Sequence, residues 1–177
     1  VAADAAFGQR ESRGGKSVER KIKNKKKEMA RYIRSKEEAA HRLRSRDPAE
    51  LLGVDLLENR LTDVNLDELV DCLLDRPDVI LHLCLGCNQL TDKTGVKLAQ
   101  YVAASSTITT MSLCGNRFGE KTYLAFAAAL RVNTSLQWLD ISDNRAIDKN
   151  RIDMAFVDAL RLNPGRPVGL ERDSRRP

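Results

Sequence analysis

The chain has 177 residues, of which 5% are aromatic and 31% charged, and a formal net charge of +5. That length holds one domain plus an extension, and so few aromatics oblige the interior to be built from aliphatic side chains. No apolar run approaches the roughly 18 residues that span a bilayer, and no short apolar leader sits near the start, so no membrane partner is expected.

Residues 1–17 are rich in Ala, Gly and Ser, and Gly14-Gly15 interrupts any helix there, which predicts a disordered segment. Ser17 stands at an N-cap position, and from there to about Ser45 the chain has no Gly or Pro and many helix formers. This reads as a basic helical arm over 18–46, about 40 Å long. Glu19 to Arg46 carries 12 Lys or Arg against 4 Glu, a balance of +8, whereas Asp47 to Pro164 carries 11 against 17, a balance of −6. The densest cluster, Lys21, Lys23, Lys25, Lys26, Lys27, Arg31 and Arg34, is the candidate polyanion-binding surface, for RNA phosphates or the acidic tails of tubulin. Ile22, Met29 and Leu43 recur at heptad spacing with Tyr32 and Ala39, but Lys36 breaks a stripe too thin for a self-sufficient coiled coil. Asp47-Pro48 closes the arm and opens the next element.

A repeat follows. Val54-x-Leu56-x-x-Asn59-x-Leu61, Leu83-x-Leu85-x-x-Asn88-x-Leu90, Met111-x-Leu113-x-x-Asn116-x-Phe118 and Leu139-x-Ile141-x-x-Asn144-x-x-Ile147 align on asparagines that step by 29, 28 and 28 residues. Three residues before each lies another apolar side chain: Leu51, Ile80, Ile108 and Leu136. The second half of each unit has helical periodicity, in Leu66, Leu69, Val70 and Leu73, then Leu98, Ala99 and Val102, then Leu124, Phe126, Ala127 and Leu130. Residues 155–163 echo 125–133 at an offset of 30, which places Asn133 as a helix-terminating residue in the left-handed region rather than a glycan acceptor in Asn133-Thr134-Ser135. The extra residues near Arg145-Ala146 predict a bulged turn and a capping last repeat, before a basic tail over 165–177.

The unit L-x-x-L-x-L-x-x-N-x-L followed by a helix resembles the leucine-rich repeats of ribonuclease inhibitor, tropomodulin and the NOD-like receptors, over a domain set at 47–164. The resemblance implies an α/β solenoid of about four 28–29-residue repeats, with parallel strands on a concave face, helices on a convex face, and a structural ladder of buried asparagines, Asn59, Asn88, Asn116 and Asn144. It points to the fold rather than to one function, since this architecture carries many activities.

Strand alternation turns the neighbours of the core leucines outward in rows: Gly53, His82, Thr110 and Trp138; Asp55, Cys84, Ser112 and Asp140; Leu57, Gly86, Cys114 and Ser142. His82, Cys84, Thr110, Ser112, Trp138 and Asp140 are the candidate partner-binding residues, with Trp138 the type of side chain that anchors interfaces. Cys84-x-x-Cys87, with Cys114 and His82 nearby, has the spacing of a metal or redox pair, but the repeat itself accounts for both positions. No triad, zinc-protease motif or phosphate loop appears, so no enzyme, metal, cofactor or small-molecule substrate is expected. The four cysteines, Cys72 among them, lie at spacings unlike a secreted disulfide framework and suit an intracellular compartment. The reading is a non-catalytic scaffold or adaptor in a cytoplasmic, cytoskeletal or ciliary assembly. A second reading is an RNA-bound structural component of a ribosome or other ribonucleoprotein, in the mitochondrion among other places. A third is GTPase activation, as in the Ran GTPase-activating protein, whose solenoid is much longer.

Overall fold

The computed structural model describes residues 32–45, 52–145, 149–163 and 169–171. The chain divides into two units, 1–32 and 33–177, and apart from Tyr32 the described residues belong to the second. Strand and helix alternate: β1 (Tyr32–Ile33), α1 (Lys36–Arg44), β2 (Gly53–Asp55), α2 (Asp63–Asp75), β3 (His82–Cys84), α3 (Asp92–Ala104), β4 (Thr110–Ser112), α4 (Glu120–Leu130), β5 (Trp138–Asp140), α5 (Lys149–Leu162) and β6 (Gly169–Glu171). The strands form one six-stranded sheet in chain order. From β2 to β6 every pair is parallel and in register, with Val54, Leu83, Met111, Leu139 and Leu170 side by side. This is an α/β leucine-rich-repeat architecture.

Two expectations about its ends are corrected. A continuous basic helix does not run to Ser45, because β1 occupies Tyr32–Ile33 and Ser35 starts a separate nine-residue helix, its Oγ accepting from the Glu38 amide at 3.4 Å. The few apolar residues of this charged stretch, Ile33, Ala39, Ala40 and Leu43, are buried in the common core. Leu43 therefore serves the repeat domain rather than an arm, and the domain begins well before residue 47. The N-cap expected at Ser17 lies outside the described residues, as does the whole of 1–17. At the other end, 165–177 is not a tail throughout, since Gly169–Glu171 extends the sheet as β6. The bulge expected after Asn144 falls at 146–148, outside the described residues.

Between the ends the core is what the repeat dictates. Leu56, Leu61, Leu85, Leu90, Leu113, Phe118 and Ile141 are buried with the strand leucines, and the helices contribute Leu66, Leu69, Val70, Leu73, Leu98, Val102, Phe126 and Leu130. Leu124, on the margin of the α4 stripe, is only half-buried. Successive helices approach closely at Gly95, where an added Cβ would lie 2.2 Å from Thr122 Oγ1.

Side-chain ladders join the repeats where the backbone leaves its sheet. Asn88 accepts on Oδ1 from the amides of Leu61 at 2.9 Å and Asn59 at 3.1 Å, and its Nδ2 donates to the carbonyls of Leu56, Leu85 and Gly86. Asn116 repeats this, accepting from Leu90 and donating to Leu85, Leu113 and Cys114. Asn144 accepts from Phe118 and donates to Leu113, Ile141 and Ser142. Asn59 departs from the pattern. It is exposed, and its Nδ2 donates to Leu57 O, within its own turn. The residue before each asparagine, Glu58, Cys87, Gly115 and Asp143, takes a positive φ between 52° and 63°. Only Gly115 adopts that region without a Cβ penalty.

A second ladder runs at the helix ends. Asn133 is not left-handed, contrary to expectation, because it does other work. Its buried amide donates to Val102 O and Ser105 O and accepts from the amides of Ser135 and Leu136. Asn163 repeats the donation one unit later, to Asn133 O at 2.7 Å. A third ladder uses carboxylates at helix starts: Asp63 accepts from the Thr91 amide and the hydroxyls of Thr91 and Thr94, and Asp92 from the amides of Gly119 and Thr122 and the Thr122 hydroxyl. Burial works against ionising Asp63, but these donors outweigh it and hold its carboxyl below the ordinary value.

Candidate partner-binding face

The parallel register brings His82, Thr110 and Trp138 side by side, and Cys84, Ser112 and Asp140 beside them. Strands of this kind lie about 4.8 Å apart, so each row is a strip of neighbouring side chains. His82, Cys84, Thr110, Ser112 and Trp138 are half-buried, while the residues between them, Leu83, Met111 and Leu139, are fully buried. In the first row His82 Nδ1 lies 2.5 Å from Thr110 Oγ1. Burial pushes the imidazole pKa down, which favours the neutral ring.

Trp138 has a neighbour that the four-repeat alignment does not contain. Gly169 of β6 pairs with it, and a Cβ on that glycine would lie 3.4 Å from Trp138 Cδ1. The indole therefore stands inside a row of five strands rather than at the end of one of four. The missed signal is Gly169-Leu170-Glu171 itself, whose apolar centre continues the Leu83, Met111, Leu139 series at an irregular spacing.

Asp140 is not available as its position suggests. It is buried, and its Oδ1 accepts from the Ser142 amide at 3.0 Å and the Ser142 hydroxyl at 2.7 Å. Its role is to shape the turn after β5. Leu57, by contrast, is an exposed apolar side chain in the third row, with Cδ1 3.0 Å from the place a Cβ on Gly86 would take. Its signal in the sequence is the glycine opposite.

Cys84 and Cys114 are half-buried on the face, whereas Cys72 is buried within α2. All four cysteines are free, and Cys87 owes its place to the left-handed turn before Asn88. Burial raises the pKa of both Cys84 and Cys114, which disfavours the thiolate that metal binding or exchange chemistry requires. Ser112 Oγ lies 3.5 Å from Cys114 Sγ.

The basic cluster is divided. Lys21, Lys23, Lys25, Lys26, Lys27 and Arg31 lie outside the described residues, whereas Arg34 is exposed between β1 and α1. Further basic residues of that stretch belong to the repeat domain. Arg44 pairs with Glu68 at 2.6 Å, and Lys36 donates to Asn65 O at 3.2 Å. Among the described residues no helix is long and apolar enough to cross a membrane.

No protein-family model matches the chain, and no curated protein does. Among solved structures it is similar to leiomodin-1 actin-binding site 2, at 23% identity and a TM-score of 0.69, over 78% of this chain and 79% of that one. It is also similar to the tropomodulin C-terminal domain of Caenorhabditis elegans, at 17% identity and a TM-score of 0.68, over 80% and 85%. At these identities the likeness is one of fold, and the fold is of the leucine-rich-repeat type.

Proposed function

We propose that the chain is a non-catalytic scaffold that binds a protein partner in an actin-based cytoskeletal assembly through its concave rows. The observation that carries this reading is the in-register strip of half-buried His82, Thr110 and Trp138, with exposed Leu57 nearby, on an open sheet face. An aromatic anchor among adaptable polar groups is the composition of an interface centre. The leiomodin structure is named for an actin-binding site, which makes filamentous actin the first partner to test. The 28–29-residue spacing supports the ribonuclease-inhibitor type of repeat. The cluster Lys21, Lys23, Lys25, Lys26, Lys27, Arg31 and Arg34 then contacts an acidic surface of the same assembly by charge.

The test is co-sedimentation of the full chain with actin filaments at low and physiological salt. Trp138→Ala is expected to weaken binding by on the order of 2 kcal/mol, about 30-fold, with thermal unfolding unchanged. Equal affinity of variant and parent would move the interface off the concave face. A salt-independent affinity would remove the basic cluster from it. No sedimentation with filaments at either salt would refute actin as the partner.

A further inference from the structure

Where a strand gives way to its helix, the residue after the ladder asparagine comes to the edge of the sheet. In three successive repeats this residue is Gln89, Arg117 and Arg145, and the same bond fixes each. Their amides donate to Leu61 O, Leu90 O and Phe118 O at 2.8, 2.9 and 3.2 Å. The three side chains therefore line one rim of the solenoid, spaced by roughly the 4.8 Å that separates neighbouring strands. Within the row Arg117 Nη2 donates to Gln89 Oε1 at 3.3 Å, which draws the guanidinium along it. Arg60 opens the series from a different backbone state, with a φ of 55°.

Arg117 and Arg145 are exposed, and neither forms an ion pair with a described carboxylate. Exposed cations of the helices are engaged differently: Arg42 pairs with Glu38, Arg44 with Glu68, Lys93 with Asp67 and Arg151 with Glu120. Nor do the carboxylates at the helix starts neutralise the rim, because Asp63 and Asp92 are taken up by amides and hydroxyls of the next repeat. Glu58 and Asp143 stand two residues before Arg60 and Arg145, while Cys87 and Gly115 take that place in the turns between.

Two neighbouring guanidiniums suit an anion that bridges them, and their planar forks accept carboxylate or phosphate. The order of charges along the rim favours carboxylates. A nucleic acid bears a charge on every residue and would run its phosphates onto Glu58 and Asp143. Phe118, the aromatic side chain of these turns, is buried and cannot stack on a base. A protein segment can instead set acidic side chains against Arg117 and Arg145 and neutral or basic ones against the rim's own acids. In extended form its alternate side chains are about 7 Å apart, within reach of two long arginines on adjacent rungs.

We propose that the rim of Gln89, Arg117 and Arg145 is a docking surface for an acidic segment of a protein partner, separate from the concave rows. The experiment is phenylglyoxal modification of the full chain, read arginine by arginine by mass spectrometry, with and without a short peptide of alternating Glu and Ser. Reading each arginine separately keeps binding at the lysine-rich cluster out of the result, and no filament is required. At saturating peptide the modification of Arg117 and Arg145 is expected to slow at least about fivefold. Arg131 and Arg161, also exposed and outside any ion pair among the described residues, should react as before. Arg117→Gln should lower the protection of Arg145, since one ligand bridges both. Absent protection, equal protection at Arg131 and Arg161, or an Arg145 indifferent to Arg117→Gln would each overturn the site. An RNA oligonucleotide of equal charge that protects the pair as strongly as the peptide would overturn the choice of an acidic protein segment.

Discussion

The first and last described helices present different outer faces. At the N-terminal end, α1 is nine residues long, buries only Ala39, Ala40 and Leu43, and turns Glu37, Glu38, His41 and Arg42 to solvent. It is tied down through its backbone, for Arg76 Nη1 donates to Leu43 O at 2.7 Å and to Ser45 O at 2.6 Å. At the C-terminal end α5 is fourteen residues long and leaves Val157 and Met154 open on the side where a further helix would stack. The charged helix turns polar groups outward, and the apolar one leaves aliphatic side chains exposed.

The comparison breaks first at Leu43. If α1 is a true cap, Leu43→Ala leaves a cavity under it and costs about 2 to 5 kcal/mol. Val157→Ala, on the open end, stays within roughly 0.5 kcal/mol. Urea denaturation of both variants measures the contrast. A loss at Leu43 no larger than that at Val157 would make α1 an appendage, as its charge alone suggests.

The interior between the ends can be probed at Gly95, where two physical effects oppose each other in sign. Alanine in a helix interior is favoured over glycine by roughly 0.5 to 1 kcal/mol. Here its Cβ would fall 2.2 Å from Oγ1 and 2.6 Å from Cγ2 of fully buried Thr122. Overpacking of that kind costs about 1 to 3 kcal/mol, so Gly95→Ala is expected to destabilise, with a lowered melting temperature. The equivalent residue of α5 is Asp153, which no later helix of the chain covers among the described residues. A stabilised Gly95→Ala variant would show that α3 and α4 have room between them, and the interior would then resemble the open end.

The same contrast explains what could be read from residues alone. The Leu-x-Leu strands, the asparagine spacing and the concave rows are legible because strand alternation and a fixed repeat determine which way a side chain faces. The places of Ile33 and Leu43 are not, since the thin heptad stripe in this stretch with a balance of +8 includes Leu43 but not Ile33 and points to a separate arm rather than to the repeat core. The left-handed turn residues are hidden because Glu58, Cys87 and Asp143 share a backbone state, not a side-chain type, with Gly115. In the candidate site the row of Trp138 is legible, but the loss of Asp140 to Ser142 depends on a local hydrogen bond that the repeat pattern does not encode.

The smallest effect is expected at the first rung of the asparagine ladder, where sequence and structure part most cleanly. By spacing, Asn59 and Asn116 are equivalent. Asn116→Ala strips partners from the buried carbonyls of Leu85 and Leu113 and the amide of Leu90, at a cost of about 1 to 3 kcal/mol. Asn59 sits at the N-terminal end of the series, exposed, with its amide on Leu57 O, so water can replace what Asn59→Ala removes. The expected change is within roughly 0.5 kcal/mol. Chemical denaturation of the two variants under one set of conditions decides it. Equal losses would mean that Asn59 is covered in solution by some element beyond the described residues, and the N-terminal end would then be more completely closed than α1 alone makes it.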